Sequence, residues 1–518
     1  MYKRQGAPQL DAVSAALFAL GIGYCLYHWR SSPYFLLLAW FIVAMLAGVL
    51  SLWWEAPQAA RTIGAIPAVY GMAAVPLALA WQAFADRGKT PAVLATHVVV
   101  TLLLGALYLN YDRYFNKQMN NSEVFHAFST ADTAIARYVQ AVGEERYRFY
   151  LQNQFTPVYR FLTYHPGGGV DRREFFFRTV DHLPVREAVE RDVMYILEPW
   201  RVALPLESFL HYYPQGVYEE VKDPFGKTMF YSFTVKKEDV LAIQGLTGRY
   251  YAGENLNDEL LLTRRDAAIA FDWSRENPLS QKPFSVAWEG TIFIPQSGNY
   301  TLGTRSAGRS QIRFDGKLIV DNPGQRNQTL RVSDTLRVSK GWHSLEVTCL
   351  DCAGGPMELY WQPPGKEPEI VPQDALCTVP LPSSGLLGKY YRGTDWAGLP
   401  VFQQVDPIIS FRWHDDPVPV PWCAQWEGRI HVPEGGLYWF RIFANDYAAL
   451  YINGQKVVEY PSAPFGSIQL EAGEHEILVR YSNTKHYSEM RLFWTPPGSS
   501  TSETIPTELL FPDLGGGS

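Results

Sequence analysis

The chain has 518 residues, of which 47% are hydrophobic and 19% charged, and its formal net charge is −7 at pH 7. This length allows several domains with separate cores. The net charge is negative and the chain has no cluster of basic residues, which excludes nucleic acid as a partner.

The first part of the chain, residues 10–112, contains four apolar stretches with almost no internal charge. They cover residues 13–27, 34–54, 63–84 and 92–109. Lengths near twenty residues suit helices that cross a bilayer, and Trp and Tyr cluster near the ends of the stretches, as at a membrane interface. The sequence therefore predicts four transmembrane helices. The Lys and Arg residues of the connecting loops are balanced between the two sides, so they do not decide the orientation.

The loop of residues 55–67 runs Glu-Ala-Pro-Gln-Ala-Ala-Arg-Thr-Ile-Gly-Ala-Ile-Pro after a Trp-ended apolar stretch. It resembles the late membrane region of polyprenyl-phosphate-sugar-dependent glycosyltransferases, the protein-O-mannosyltransferase-like enzymes of the GT-C fold. The resemblance implies that Arg61, with Glu55 in the same loop, binds an anionic lipid-linked sugar, since a guanidinium suits phosphate. The alternative is that Arg61 is an interfacial anchor that reaches the lipid headgroups.

An enzyme of that class carries its catalytic carboxylate in the first outer loop, near the start of a chain with more membrane helices. No acidic residue precedes Asp11 here, so no catalytic residue is assigned and enzymatic activity stays open. We expect the chain to be the C-terminal portion of such a glycosyltransferase, with residues 1–5 as a sequencing or cloning scar. The alternative is a non-enzymatic envelope protein for glycan binding or adhesion, with a native four-helix anchor.

A small extracytoplasmic α/β domain is predicted at residues 120–240. Apolar, β-branched and aromatic runs predict strands at 147–151, 192–197, 216–222 and 228–235, and helices at 129–142 and near 204–213. The segment Asp223-Pro224-Phe225-Gly226 predicts the turn between the last two strands.

A block of residues then occurs twice, about 140 residues apart, so two copies of one domain stand in tandem at residues 245–380 and 385–512. The matched segments are Gly245 to Tyr251 with Gly385 to Tyr391, Trp288-Glu289-Gly290 with Trp426-Glu427-Gly428, Asp315-Gly316 with Asn453-Gly454, and Trp361 to Gly365 with Trp494 to Gly498. Short strands between Gly and Pro breaks predict an all-β sandwich or barrel in each copy. Residues 513–518 read as a flexible tail.

The repeated pattern resembles the protective-antigen-type (PA14-like) domain, a β-sandwich module of bacterial toxins, glycosidases and yeast adhesins. The resemblance implies carbohydrate recognition outside the cytoplasm. Together with the four apolar stretches, it predicts an integral membrane protein of a bacterial cytoplasmic membrane, with its C-terminal domains outside. The implied partners are a glycan or glycoconjugate, membrane lipid and a polyprenyl-phosphate sugar.

In sugar-binding members of that family an Asp-Asp pair holds calcium, which prefers six to eight oxygen ligands. The second copy has Asn445-Asp446 at the corresponding place, while the first has Ala307-Gly308 between Arg305 and Arg309. Only the second copy could therefore hold calcium there. The alternative is that Asn445-Asp446 is a plain turn.

Tryptophans divide into repeated and unrepeated ones. Trp288, Trp426, Trp361 and Trp494 occur in both copies and are expected in the cores. Trp396 and Trp422 have no counterpart and are the candidates for an exposed aromatic face that binds sugar. The repeated Glu289 and Glu427 are expected to accept buried backbone hydrogen bonds.

Four cysteines fall in or between the copies, namely Cys349, Cys352, Cys377 and Cys423. An even number in an oxidising space predicts disulfides, and three pairings are possible. The sequence does not choose among them.

Overall fold

The structure is a computed structural model of the chain. It describes residues 10–50, 59–127, 129–143, 145–151, 157–163, 177–199, 205–275, 278–279, 283–324, 328–352, 354–413, 416–485 and 487–514. The chain divides into two compact units, Met1–Thr130 and Ala131–Ser518.

The first unit is helical. Its helices are α1 (Ala12–Tyr27), α2 (Ser32–Val49), a 3-10 helix (Ala59–Ala65), α3 (Ile66–Ala85), α4 (Lys89–Tyr111), a π-helix (Asp112–Gln118) and α5 (Ser122–Ala127). The described residues of the four apolar stretches thus lie in helices or at helix ends, while residues 51–54 of the second stretch lie outside the described part of the chain. Two segments, Thr62–Ala85 and Lys89–Gln118, are long and apolar enough to cross a membrane, whereas Ala12–Tyr27 and Ser32–Leu46 are shorter.

Close contacts hold α1 against α3 and α4. Gly21 on α1 lies against the backbone of α3, because a Cβ at this position would come 1.8 Å from the Met72 carbonyl oxygen. Asp11 caps α1 by accepting hydrogen bonds from the amides of Val13 and Ser14. Its second carboxylate oxygen accepts one from Asn110 on α4 at 2.8 Å.

A small mixed sheet opens the second unit. The elements are α6 (Thr130–Val142), β1 (Tyr147–Leu151), α7 (Pro157–Leu162), α8 (Thr179–His182), β2 (Asp192–Leu197), α9 (Leu206–Tyr212), β3 (Val217–Lys222), β4 (Thr228–Val235) and α10 (Lys237–Ala242). The strand order is β1-β2-β4-β3, with β1 and β2 parallel. The predicted strands and the turn at Asp223 are confirmed, since the Asp223 carboxylate accepts hydrogen bonds from the amides of Phe225 and Lys227.

The first repeat copy consists of two sheets. Its strands are β5 (Leu246–Ala252), β6 (Leu260–Asp266), β7 (Ala270–Asp272), β8 (Phe284–Ile294), β9 (Gly298–Ser306), β10 (Arg309–Phe314), β11 (Lys317–Asn322), β12 (Arg331–Val332), β13 (Leu336–Val338), β14 (Gly341–Leu350), β15 (Pro356–Gln362), β16 (Glu369–Ile370) and β17 (Leu376–Cys377). One sheet has the order β11-β10-β14-β8-β5-β6, with β17 beside β8. The other has the order β12-β9-β15-β16, with β13 beside β9 and β7 beside β15.

The second copy repeats this plan. Its strands are β18 (Leu386–Arg392), β19 (Phe402–Asp406), β20 (Ser410–Trp413), β21 (Trp422–Val432), β22 (Gly436–Ala444), β23 (Ala448–Ile452), β24 (Gln455–Tyr460), β25 (Phe465–Leu470), β26 (Gly473–Asn483), β27 (Ser488–Thr495), β28 (Glu503–Thr504) and β29 (Leu510–Pro512). The sheets have the orders β19-β18-β21-β26-β23-β24 and β20-β27-β22-β25. In the described strands no sheet closes on itself, so the barrel alternative is wrong.

Each copy contains one buried carboxylate that ties three neighbouring strands together. In the first copy the Asp266 carboxylate accepts hydrogen bonds from the Tyr250 hydroxyl at 2.7 Å and the Trp288 indole at 2.8 Å. Asp406 does the same with Tyr390 and Trp426 in the second copy, both at 2.7 Å. All four repeated tryptophans are buried, which confirms that they belong to the cores.

This carboxylate explains the second glycine of the repeated Gly-Leu-x-Gly pattern. A Cβ on Gly248 would lie 2.4 Å from an Asp266 carboxylate oxygen, and a Cβ on Gly388 would lie 2.3 Å from the corresponding oxygen of Asp406. Both distances are shorter than real Cβ contacts. The glycine therefore follows from the approach of the backbone to the buried acid.

The two carboxylates differ in their third partner. Arg264 donates to Asp266 at 2.8 Å, whereas the corresponding residue in the second copy, Gln404, donates to Asp406 at 2.6 Å. Burial raises the pKa of Asp406 to about 6, against the hydrogen bonds that it accepts. The second copy thus buries an acid without a cation beside it.

Glu289 and Glu427 form ion pairs within their domains, which agrees with a structural role, but the expectation that they accept buried backbone hydrogen bonds is wrong. Glu289 forms an ion pair with Arg249 at 2.6 Å, and its side chain is 49% exposed. Glu427 forms the equivalent pair with Lys389 at 2.6 Å and is 28% exposed. These residues are neighbours across adjacent strands of the sheet, where opposite charges pair.

Of the described cysteines, Cys349 and Cys352 form a disulfide, while Cys377, Cys423 and Cys25 are buried thiols. Burial raises the pKa of Cys377 to about 12 and that of Cys423 to about 11. Both groups are therefore protonated and unreactive in the folded protein.

Cysteine alkylation tests this pairing. In denaturant without reductant we expect three labelled thiols, Cys25, Cys377 and Cys423, and all five cysteines after reduction. Mass spectrometry of the alkylated peptides gives the count. A single labelled cysteine before reduction would show two disulfides instead of one and contradict this assignment.

The Asp406 site predicts a pH dependence. Asp406 ionises near 3.8 in the unfolded chain and near 6 in the folded chain, so the folded state binds the proton more tightly. Stability from this group falls as the pH rises from about 4 to about 6, by on the order of 3 kcal/mol, and is constant above. We expect Gln404→Arg to reduce this fall, because Arg would supply the cation that Arg264 supplies to Asp266.

The measurement is the difference in unfolding free energy between Gln404→Arg and wild type at about pH 4 and about pH 7. Arg264→Gln in the first copy is the matched control. It removes the cation beside Asp266 and should lower the free energy of unfolding, whereas Gln404→Arg should raise it at neutral pH. If the difference in unfolding free energy between Gln404→Arg and wild type is the same at both pH values, Asp406 does not ionise between them and this prediction is contradicted.

Candidate functional site

The loop between β22 and β23 contains Asn445, whose side-chain oxygen and nitrogen both form hydrogen bonds inside the domain. Its oxygen accepts hydrogen bonds from the Tyr481 hydroxyl and the Glu489 amide, both at 2.8 Å. Its nitrogen donates to the Tyr487 carbonyl at 2.6 Å and to Asn483 at 3.3 Å. Asn445 thus joins this loop to β26 and β27, and its oxygen has no lone pair left for a ligand.

Asp446 faces the loop that connects β26 to β27. One carboxylate oxygen accepts hydrogen bonds from the Thr484 amide at 3.0 Å and hydroxyl at 2.7 Å. The other accepts one from the Tyr447 amide at 3.1 Å. Partial burial works against ionisation, but these hydrogen bonds prevail and hold the pKa of Asp446 below its usual range. Asp446 is therefore an anion that fixes a turn.

These residues do not fit a calcium ion. Calcium needs six to eight oxygen ligands, and this loop offers one carboxylate that already accepts three hydrogen bonds. In the described part of the chain no group of three or more His, Cys, Asp or Glu side chains could hold a metal. Calcium at Asn445 and Asp446 stays a prediction of the sequence that the contacts do not support.

The corresponding turn of the first copy excludes a ligand site of this kind. A Cβ on Gly308 would lie 2.1 Å from the Leu350 carbonyl oxygen, so the position accepts only glycine. The flanking Arg309 pairs with Asp321 at 2.8 Å, and Arg305 pairs with Glu358 at 3.5 Å.

Trp396 and Trp422, the two unrepeated tryptophans, do not form an exposed aromatic face. Trp422 is fully buried in the second core, and its indole donates to Asp416 at 3.2 Å, so the expectation of exposure is wrong for it. Trp396 is half-buried. Its indole donates to the Ala424 carbonyl at 2.8 Å, and the Arg480 guanidinium lies 5.3 Å from its ring centre.

Exposed aromatic side chains occur elsewhere, on the outer face of the β20-β27-β22-β25 sheet. We define the aromatic strip as Leu437, Trp439 and Phe443 on β22 with Phe465 on β25. Their side chains are 44%, 52%, 49% and 63% exposed, respectively. Side chains of a strand alternate between faces, and the intervening Tyr438, Phe440 and Ile442 fill the core. Apart from Arg441, both faces of β22 are therefore apolar, which marks the outer one as an interaction surface.

The first copy lacks this surface. The outward positions of β9 that correspond to Leu437, Trp439 and Phe443 are Asn299, Thr301 and Arg305. Residues that the two copies share do not reveal the strip, because it lies at positions where the copies differ. The available signal was the run Leu437 to Phe443, which is almost wholly apolar where β9 alternates.

The predicted lipid-donor residues cannot be placed. Glu55 lies outside the described residues. Arg61 falls in the 3-10 helix Ala59–Ala65, and its side chain lies outside the described part. The glycosyltransferase role of this loop stays a prediction.

Comparison with known proteins identifies the repeats. The PA14 domain family matches residues 243–375 and 382–508. No curated protein matches the chain. The chain is similar to an anti-sigma factor domain-containing protein from Clostridium clariflavum, at 25% identity over 52% of this chain and 99% of that chain, with a TM-score of 0.23.

Two single-domain structures are also similar. A PA14 sugar-binding domain from an RTX adhesin is 18% identical over 26% of this chain and 99% of its own, with a TM-score of 0.23. The epithelial adhesin 9 A domain from Candida glabrata, in complex with Galb1-4GlcNAc, is 12% identical over 25% of this chain and 89% of its own, with a TM-score of 0.21.

The contacts of Asn445 predict a structural role. Asn445→Ala should destabilise the second copy by about 1–3 kcal/mol, because the Glu489 amide and Tyr481 hydroxyl lose their acceptor. Thermal unfolding of the full chain, with and without added calcium, measures this. We expect calcium to leave the melting temperature of the wild type unchanged. A rise in the wild type that Asp446→Ala abolishes would show a calcium site here.

Proposed function

Because the chain belongs to the PA14 domain family, through two tandem domains at residues 243–508, we propose that it is a membrane-anchored protein that binds carbohydrate outside the cytoplasm. The apolar helices of the first unit support an anchor, since Thr62–Ala85 and Lys89–Gln118 have the length and composition of membrane spans. The carbohydrate is the partner that the resemblance of the repeats implies.

The observation that carries the binding role is the aromatic strip of the second copy. Trp439, Phe443 and Phe465 expose large flat rings on one face of one sheet. Trp439 and Phe443 are four residues apart on β22, so their Cα atoms lie about 14 Å apart. Apolar C–H faces of sugar rings stack on such rings, and a row of this length spans more than one sugar unit.

The two copies have different roles in this proposal. The second copy presents the strip, whereas the first copy presents Asn299, Thr301 and Arg305 at the corresponding positions. The first copy contacts the domains on both sides of it, since Lys340 pairs with Asp181 of the α/β domain at 2.7 Å and Ser339 donates to Gln403 of the second copy at 2.6 Å. We assign it a supporting role and the glycan to the second copy.

Glycan binding is tested with the full chain in nanodiscs on a glycan array. We expect wild type to bind, and Trp439→Ala to weaken binding by roughly tenfold, as expected when a central aromatic contact is removed. Trp439 is exposed, so the variant should fold, which its thermal unfolding checks.

The matched control is Thr301→Ala, at the same position of the first copy, which should bind like wild type. Chelation of divalent cations should also leave binding unchanged. Equal binding by Trp439→Ala and wild type would move the site away from the strip, and no binding by wild type would contradict the proposed function.

A further inference from the structure

A single arginine stands in the centre of the aromatic strip. Arg441 on β22 is the cross-strand neighbour of Phe465 on β25 and of Phe493 on β27. Its guanidinium carbon lies 6.0 Å from the Phe465 ring centre and 4.8 Å from the Phe493 ring centre. The three side chains form a row across three adjacent strands, and the two rings hold the cation between them.

The hydrogen-bonding groups of Arg441 are free. Within the described part of the chain, no acceptor takes a hydrogen bond from its guanidinium and no carboxylate pairs with it. The other arginines on this face have partners, since Arg491 pairs with Glu489 at 2.6 Å and Arg412 donates to the Tyr487 hydroxyl at 2.7 Å. Arg441 is thus an exposed, oriented cation with up to five unused N–H donors.

We propose that the strip recognises an acidic glycan, with Arg441 donating to the carboxylate of a uronic acid residue. This inference rests on the proposed function and names the class of glycan that the site takes. The guanidinium fork matches a carboxylate in a bidentate manner. Trp439 is two residues away on the same strand, about 7 Å along it, so the sugar next to the uronic acid reaches its ring.

The charge of the face supports an anionic ligand. The carboxylate of Glu489 is already paired, and its side chain is 12% exposed. The strip itself contains no acidic residue. An anion that approaches Arg441 therefore meets a cation beside apolar rings, and the interaction weakens with added salt.

The test compares polygalacturonate with its fully methyl-esterified form, in which each carboxylate is replaced by an uncharged methyl ester on the same sugar backbone. Binding of the full chain in nanodiscs of neutral lipid is measured by biolayer interferometry. We expect wild type to bind polygalacturonate more tightly than the ester by roughly tenfold or more, because a charge-assisted pair replaces neutral contacts. Arg441→Gln should lose this preference and keep the affinity for the ester.

Arg429→Gln is the matched control. Arg429 is also an exposed arginine of the second copy, but it lies on β21 in the opposite sheet and pairs with Glu474. It should retain the preference. Arg441→Lys, which keeps the charge without the fork, should lose part of it.

The outcomes separate the two claims. If wild type binds both polymers equally, or if Arg441→Gln keeps the preference, the acidic-glycan inference is overturned while glycan binding stands. If wild type binds neither polymer and no glycan on the array, both fail. If Arg441-dependent binding appears only with vesicles of anionic lipid, the face is a membrane contact and the inference is also overturned.

Discussion

The architecture of each β domain depends on one buried carboxylate. Asp266 and Asp406 accept hydrogen bonds from a tyrosine and a tryptophan on neighbouring strands, so three strands share one acceptor group. A buried acid is costly without such partners, which explains why the tyrosine, the tryptophan and the glycine beneath them recur together. These contacts hold the register of β5, β6 and β8 in the first copy and of β18, β19 and β21 in the second.

With the core held constant, the two copies differ on their outer surfaces. In the second copy β22 points Tyr438, Phe440 and Ile442 into the core and Trp439 and Phe443 outward. The first copy uses the same outward positions for small, polar or charged residues. At these positions the first copy therefore lacks an exposed apolar strip, whereas the second copy exposes apolar area that is available for a ligand.

Features that repeat along the chain, or that follow a regular apolar pattern, could be predicted from the sequence. The apolar helices, the strands Tyr147–Leu151 and Asp192–Leu197, the tandem copies and the buried repeated tryptophans were all accessible, because each leaves a regular pattern. The lack of an aromatic counterpart that can be aligned does not predict exposure for Trp422, since its side chain is fully buried and its indole donates to the half-buried Asp416. The position of Asp266 and Asp406 and the row Phe465, Arg441, Phe493 depend on pairing between distant strands, which spacing along one chain does not reveal.

Hydroxyl-radical footprinting of the full chain with a bound glycan tests the central claim most directly, namely that the outer face of the second copy is the binding surface. The account predicts protection of Trp439, Phe443 and Phe465 on addition of the glycan, with Trp396 and Tyr447 beside the Asn445-Asp446 loop unchanged. Protection of Trp396 and Tyr447, with the strip still reactive, would contradict it and place the ligand at the end of the sandwich.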